Sequence, residues 1–92
     1  LTGAKLANAN LTGTDFTTAI GTGGNGKDFS GYDFTDSNLT SAKLNGVKLN
    51  SANLTRTNFS SADLSSANCT SANKTSTLWT SAILTGAVGC GP

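Results

Sequence analysis

From Asp28 onward, every fifth residue carries a bulky apolar side chain: Phe29, Phe34, Leu39, Leu44, Leu49, Leu54, Phe59 and Leu64. Cys69, Lys74, Trp79 and Leu84 keep the same spacing. Leu1, Leu6, Leu11 and Phe16 share the interval in a different phase. A helix buries one face with a period near 3.6 residues and a strand with a period of 2, so a period of five fits neither. It marks a repeat architecture in which each unit is too small to bury its own apolar residue and must stack on its neighbours.

The residues flanking each centre repeat as well. Two positions before it the residue is small, as at Ala4, Ala9, Ala42, Ala52, Ala62, Ala67, Ala72 and Ala82. One position before it stands Asn or Asp, as at Asn10, Asp33, Asn38, Asn53, Asn58, Asp63, Asn68 and Asn73. Thr or Ser usually follows it, giving units such as ANLTG, SNLTS, ANLTR, TNFSS and ADLSS. This resembles the pentapeptide-repeat family, with its A-(D/N)-L-x-x pattern, over about nine-tenths of the chain. One A-N-L would carry nothing; more than a dozen units in register are specific.

Composition agrees with a thin solenoid rather than a two-layer core. Of the 92 residues only 36% are hydrophobic, while Ser, Thr and Asn together make 36 residues. A narrow apolar bore under a polar skin accommodates that ratio. The length suits a single domain, 1–92. A net charge of +1 implies neither a basic nor an acidic partner, and nucleic acid is not expected. No apolar run approaches 18 residues, so no membrane-spanning helix is expected.

The resemblance implies an all-β fold: a right-handed quadrilateral β-helix with four units and twenty residues per coil, here about four and a half coils. Residues twenty apart then stack. The resulting columns are Phe29–Leu49–Cys69–Gly89, Phe34–Leu54–Lys74, Leu39–Phe59–Trp79 and Leu44–Leu64–Leu84. Phe16 and Phe29 are thirteen apart, and the segment 21–28 holds four glycines, which reads as a surface loop. No Walker-type Lys-Ser/Thr pair follows it, so phosphate binding is set aside. Two registers are possible across the loop. With Gly21 at a centre, three residues are inserted, Leu6 lies under Phe29 and Phe16 under Leu39. Otherwise eight are looped out and Leu1 lies under Phe29. The first is favoured, because Ala19 then falls two before Gly21.

The pattern fails in the last coil. Lys74 takes a centre position, where an unpaired ammonium would be costly to bury, and Trp79 is too large for the usual bore. The position normally Asn or Asp becomes Leu78, Ile83 and Val88, placing apolar side chains on the outside. Contiguous exposed apolar surface usually marks a contact. Two readings stay open: a C-terminal segment folding back as a cap, and contact with another molecule. The chain carries no Met and begins on a repeat centre, Leu1, as either a processed mature protein or a fragment. Solenoid ends need covering. Head-to-tail stacking of identical chains would supply that, with Leu1, Lys74, Leu78, Trp79, Ile83 and Val88 as candidate interface residues.

Cys69 and Cys90 lie one coil plus one residue apart, within bridging range if coils stack. An intramolecular disulfide is favoured, closing a loop of about 20 residues for about 3 kcal/mol. A buried inert thiol at Cys69 and an intermolecular bridge from Cys90 are the alternatives. Cysteine usage, the absence of His and the Asn/Thr/Ser-rich surface point to an exported protein in an oxidising compartment.

No enzyme chemistry is visible. Without His there is no His-based triad or His metal site, and no catalytic, cofactor or metal-binding residue is assigned. Asp28, Asp33 and Asp36 match no calcium-loop spacing. Six N-x-S/T sequons, at Asn10, Asn38, Asn53, Asn58, Asn68 and Asn73, follow automatically from an N-L-T repeat. In the favoured register Thr12, Thr35, Thr55 and Thr75 form a ladder resembling those of ice-binding β-helices, but every side carries Thr or Ser. The family's DNA-mimicking, topoisomerase-protecting members are strongly acidic, whereas this chain has five acidic residues. The expectation is therefore a non-enzymatic, self-assembling structural module, with no small-molecule substrate and no cofactor. A protein-binding scaffold of a larger secreted protein is the alternative.

Overall fold

A computed structural model describes residues 7–14 and 28–92 of the chain. Leu1, Leu6, Phe16 and the glycine-rich segment 21–27 lie outside the described residues. Parallel bridges join Asp28 to Lys48, Asp33 to Asn53, Asn38 to Asn58 and Lys43 to Asp63, always twenty apart. The next set joins Lys48 to Asn68, Asn53 to Asn73, Asn58 to Leu78 and Asp63 to Ile83, and Asn68 pairs with Val88. The chain thus stacks as coils 28–47, 48–67 and 68–87, each with four five-residue sides.

One hydrogen-bond scheme serves every side. The centre amide donates up to the next coil, as from Leu39 to the Asn58 carbonyl at 2.8 Å. The amide two residues on does the same, as from Ser41 to Ser60 at 2.9 Å. The amide before the centre donates down, as from Asn58 to the Ser37 carbonyl at 3.0 Å. Within a coil the corner closes by a turn, Ala42 amide to Leu39 carbonyl at 3.0 Å.

Each corner places a residue at positive φ, including Asp36, Arg56, Ser41, Ser61 and Ser81 at 55–60°. That conformation costs a side-chain-bearing residue about 1–2 kcal/mol. The Asn or Asp before the centre helps hold the corner. Asn53 Oδ1 accepts from the Thr55 amide at 3.1 Å and from its hydroxyl at 2.6 Å. Asn38, Asn58, Asp63 and Asn68 repeat the arrangement. Short polar side chains favour local backbone bonding of this kind, so the repeat's Asn/Asp preference has a mechanical cause.

The bore is filled by the centres. Phe34, Leu39, Leu44, Leu49, Leu54, Phe59, Leu64 and Cys69 are each at most 2% exposed, and Phe29 is buried too. Ala42, Ala52, Ala62, Ala67 and Val47 fill the corners between them. One corner column is polar, and its hydroxyls are satisfied from inside. Thr57 Oγ1 donates to the Phe34 carbonyl at 2.8 Å, Thr77 Oγ1 to the Leu54 carbonyl at 2.6 Å, and Ser37 Oγ to Phe34 at 2.7 Å. Tyr32 stands in a corner where a small residue is expected. It is buried between Phe29 and Phe34, with ring centroids 5.1 and 6.1 Å away.

The favoured register across the glycine segment is corrected. Asn10 bridges Asn38, Leu11 donates to the Asn38 carbonyl at 2.7 Å, and Lys43 donates to the Thr14 carbonyl at 2.8 Å. Leu11, not Phe16, therefore lies under Leu39, and eight residues are in excess of the repeat rather than three. The favoured register required Gly21 as a bore residue, where a missing side chain would leave a void; the observed one does not. Loop-closure entropy barely separates the two lengths. The threonine ladder changes with it: Thr12 stacks beneath Thr40, Ser60 and Thr80, while Thr35, Thr55 and Thr75 form a separate column.

Candidate functional site

The third coil keeps the backbone scheme of the first two and abandons much of their side-chain scheme. Asn73 still accepts from the Thr75 amide and hydroxyl, at 3.1 and 2.7 Å. On the next three sides the equivalent residues are Leu78, Ile83 and Val88, which cannot accept. They are 50%, 48% and 57% exposed, the large apolar side chains exposed among the described residues. Because they occupy consecutive sides, they form a belt around the coil rather than a patch on one face.

Inside, Trp79 lies on Phe59 with ring centroids 5.0 Å apart and planes 16° from parallel. A ring of that size fits because it is half-buried in the last layer. Lys74 heads the Phe34–Leu54 column, and its ammonium is partnered. Nζ donates to the Gly89 carbonyl at 2.6 Å and the Gly91 carbonyl at 3.2 Å. Lys74 is thus tied to the chain's own tail.

That tail leaves the solenoid path at Gly89. A Cβ there would sit 3.3 Å from the Cys69 carbonyl carbon and oxygen and from the Thr70 nitrogen, at φ 69°. At Gly91, φ 91°, a Cβ would meet Leu84 Cδ1 at 2.9 Å. Between them Cys90 turns back to Cys69. Their sulfurs lie 2.01 Å apart and their Cα atoms 5.1 Å, the arrangement of a disulfide bridge. Gly91 is buried. The last four residues thereby form a short cover over the bore, anchored at Cys69, Lys74 and Leu84. This cover lies over the bore and leaves Leu78, Ile83 and Val88 exposed.

The cover leaves the rim of the coil bare. The amides of Lys74, Ser76, Trp79, Ser81, Leu84 and Gly86 have no backbone partner among the described residues. Nor do the carbonyls of Ala72, Thr77, Ala82 and Ala87. In the coils below, the same positions all bond upward. The rim is an unpaired β-edge, the kind of surface that templates further pairing.

Charge is sparse around the solenoid. Arg56 forks onto Asp36, Nε to Oδ1 at 2.6 Å and an Nη to Oδ2 at 3.0 Å, on an exposed corner. That pair lowers the Asp36 carboxyl's pKa and raises the Arg56 guanidinium's. Asp63 is held low by hydrogen bonds from the Ser65 hydroxyl and amide, helped by Asn45. Asp28 is held low by Ser30. No cluster of three His, Cys, Asp or Glu side chains among the described residues could hold a metal ion.

The family model for pentapeptide repeats, itself eight copies of the repeat long, matches this chain over residues 1–40, 25–50 and 42–73. The chain belongs to the pentapeptide-repeat family. Its solved relatives include HetL from Nostoc sp. strain PCC 7120, a pentapeptide repeat protein involved in heterocyst differentiation regulation. HetL is 28% identical over 92% of this chain and 44% of its own, with a TM-score of 0.58. Rfr23 from Cyanothece 51142 is 19% identical, with a TM-score of 0.56 over 95% of this chain and 84% of its own. No curated protein matches. Members of the family are repeat scaffolds built as right-handed β-helices. The profile match stops at residue 73, immediately before Lys74. The repeat identifies the first coils, and Lys74, Leu78, Trp79, Ile83, Val88 and Cys90 lie past the end of the match.

Proposed function

We propose that this chain is a non-enzymatic structural module, a single right-handed square β-helix that stacks end to end with copies of itself as an extracellular filament subunit. The observation that carries this reading is the bare rim of the last coil. Its donors and acceptors are complementary to those on the underside of residues 10–12. In the coils, a centre amide meets the carbonyl before the next centre, and the amide two later meets the carbonyl after it. By that rule the amides of Trp79 and Ser81 pair with the carbonyls of Asn10 and Thr12 of the next copy, and the Asn10 amide pairs with the Thr77 carbonyl. Repeating a head-to-tail contact that does not close generates a filament.

Magnitudes decide what else the contact needs. The three bonds to residues 10–12 contribute about 0.5–1.5 kcal/mol each when paired. Association costs about 4–15 kcal/mol. These bonds alone fall short of that cost, so apolar burial must add to them. Leu78, Ile83 and Val88 are available, since complete burial of such side chains is worth about 1.5–3 kcal/mol each.

The double variant Leu78→Asp, Ile83→Asp should be monomeric under conditions where the parent forms fibres, by light scattering and negative-stain microscopy. Fibres from both chains would remove the belt from the interface. One observation favours a second reading: the belt spans three sides, which suits a partner that wraps the coil. The chain would then be a binding scaffold, and it would capture that partner while itself remaining monomeric.

A further inference from the structure

The geometry points to a redox gate on this stacking surface: oxidation of Cys69 and Cys90 completes the last coil, and reduction dismantles the side that carries Val88. The inference rests on the end-to-end reading above and assigns its regulation.

Two of the belt's three sides are held differently from the last. Leu78 and Ile83 lie within continuous coil, with their amides on the Thr57 and Ala62 carbonyls at 2.9 and 2.8 Å. A full side follows each of them. Val88 is followed by Gly89, Cys90, Gly91 and Pro92, which leave the solenoid path. Its own ladder bonds are two, amide to the Ala67 carbonyl at 2.8 Å and carbonyl from the Cys69 amide at 2.7 Å. The second comes from the same residue that carries the bridge. Sulfur and backbone therefore pin Val88 at one point.

The remaining fasteners are slight. Lys74 Nζ reaches two neutral carbonyls from a half-exposed side chain, and Gly91 touches Leu84 without a side chain of its own. Positive φ at Gly89 and Gly91, on either side of Cys90, gives a freed tail many alternative paths. Without the covalent tie, ordering these residues has little to offset its entropy. With Val88 frayed, one side of the rim and one member of the belt are gone, and an incoming coil cannot seat on all four sides.

The chemistry is thiol–disulfide exchange. Cys69 is 1% exposed while Cys90 is half-buried, so attack falls on Cys90 Sγ. A thiolate of an external dithiol bonds to Cys90 Sγ, the Cys69–Cys90 bond breaks, and Cys69 leaves as thiolate and takes a proton. The reagent's second thiolate then displaces Cys90, whose sulfur is protonated in turn. The dithiol is oxidised to its cyclic disulfide by two electrons, and the protein gains two electrons and two protons. The reverse direction needs a disulfide donor, the class of oxidant found in export compartments. A chain made under reducing conditions would stay single and acquire its stacking surface on oxidation.

The test separates gate from premise. In the Leu78→Asp, Ile83→Asp variant, hydrogen exchange at the Val88 amide is compared with and without dithiothreitol, with the Leu64 amide as a control for global unfolding. Val88 should exchange about tenfold faster or more on reduction while Leu64 is unchanged. In the parent chain and in Cys90→Ser, sedimentation should show polymer only for the oxidised parent. Unchanged Val88 exchange overturns the latch. Equal polymerisation of oxidised parent, reduced parent and Cys90→Ser overturns the gate while the stacking reading survives. An oxidised parent that stays monomeric removes the premise, and the gate falls with it.

Discussion

The second and third coils share one backbone and differ in what their outer side chains do. In residues 48–67, Asn53, Asn58 and Asp63 spend their oxygens on the local turn, so the outside is satisfied and inert. In residues 68–87 only Asn68 and Asn73 do so, and Leu78 and Ile83 face outward with nothing to bond. Inside, the second coil is sealed by layers above and below. The third is closed by Trp79, Lys74 and a four-residue tail. The middle coils show what this repeat needs for folding. What the third coil does beyond that is available for recognition.

The strongest way to break the comparison is to empty one column at both heights. Phe59→Ala, in the sealed layer, should cost about 3–5 kcal/mol. Trp79→Ala, half-exposed above it, should cost about 1–2 kcal/mol despite the larger side chain, because less of its area leaves water. Equal losses in thermal unfolding would mean that the two layers are equally sealed, and that the tail cover is more complete than its contacts imply.

A milder test puts the middle coil's chemistry into the last one. Leu78→Asn restores an acceptor for the Thr80 amide and hydroxyl, as Asn58 provides for Ser60. It should stabilise the monomer by about 0.5–1 kcal/mol, since a corner bond is gained and only the covered half of the Leu78 side chain is given up. It should also weaken self-association. A destabilised monomer would show that Leu78 contributes to folding as well as to contact.

The smallest effect is one of pH. Asp63 is held below its ordinary value by the Ser65 hydroxyl and amide. A carboxylate whose folded pKa is depressed stabilises the fold above the unfolded value, near about 3.9, and that contribution is lost as pH falls through the folded value. Stability should therefore decline below about pH 4, and Asp63→Asn should flatten part of that decline while keeping the turn. An unaltered acid limb would assign the loss to other carboxylates.

The repeat and its family could be read from sequence because the spacing is a direct image of the coil: five residues per side leave no other period. The buried column Phe34–Leu54 and its neighbours follow from the same arithmetic. Three details could not be read. The register across residues 15–27 is one, since loops of three and eight extra residues keep the same phase and differ little in closure cost. Tyr32 is another: as a corner residue it breaks the small-residue rule, and only its packing between Phe29 and Phe34 explains it. The third is Lys74, which reads as an interface residue. Its carbonyl partners at Gly89 and Gly91 depend on two positive-φ glycines turning the tail inward, which no residue pattern announces.

Asn10 and Asn38 pair in the ladder although the chain between them runs eight residues beyond a coil, and this has a consequence for how such a chain can change length. Only the residues that follow the coil count toward the columns, and those must come in twenties. Extra residues that leave and rejoin at one corner are invisible to the rest. A single added unit of five, by contrast, would turn everything above it by a quarter, setting each column on a neighbour's foundation. A lineage of this chain can therefore lengthen freely by whole coils or by loops, and hardly at all by single repeats.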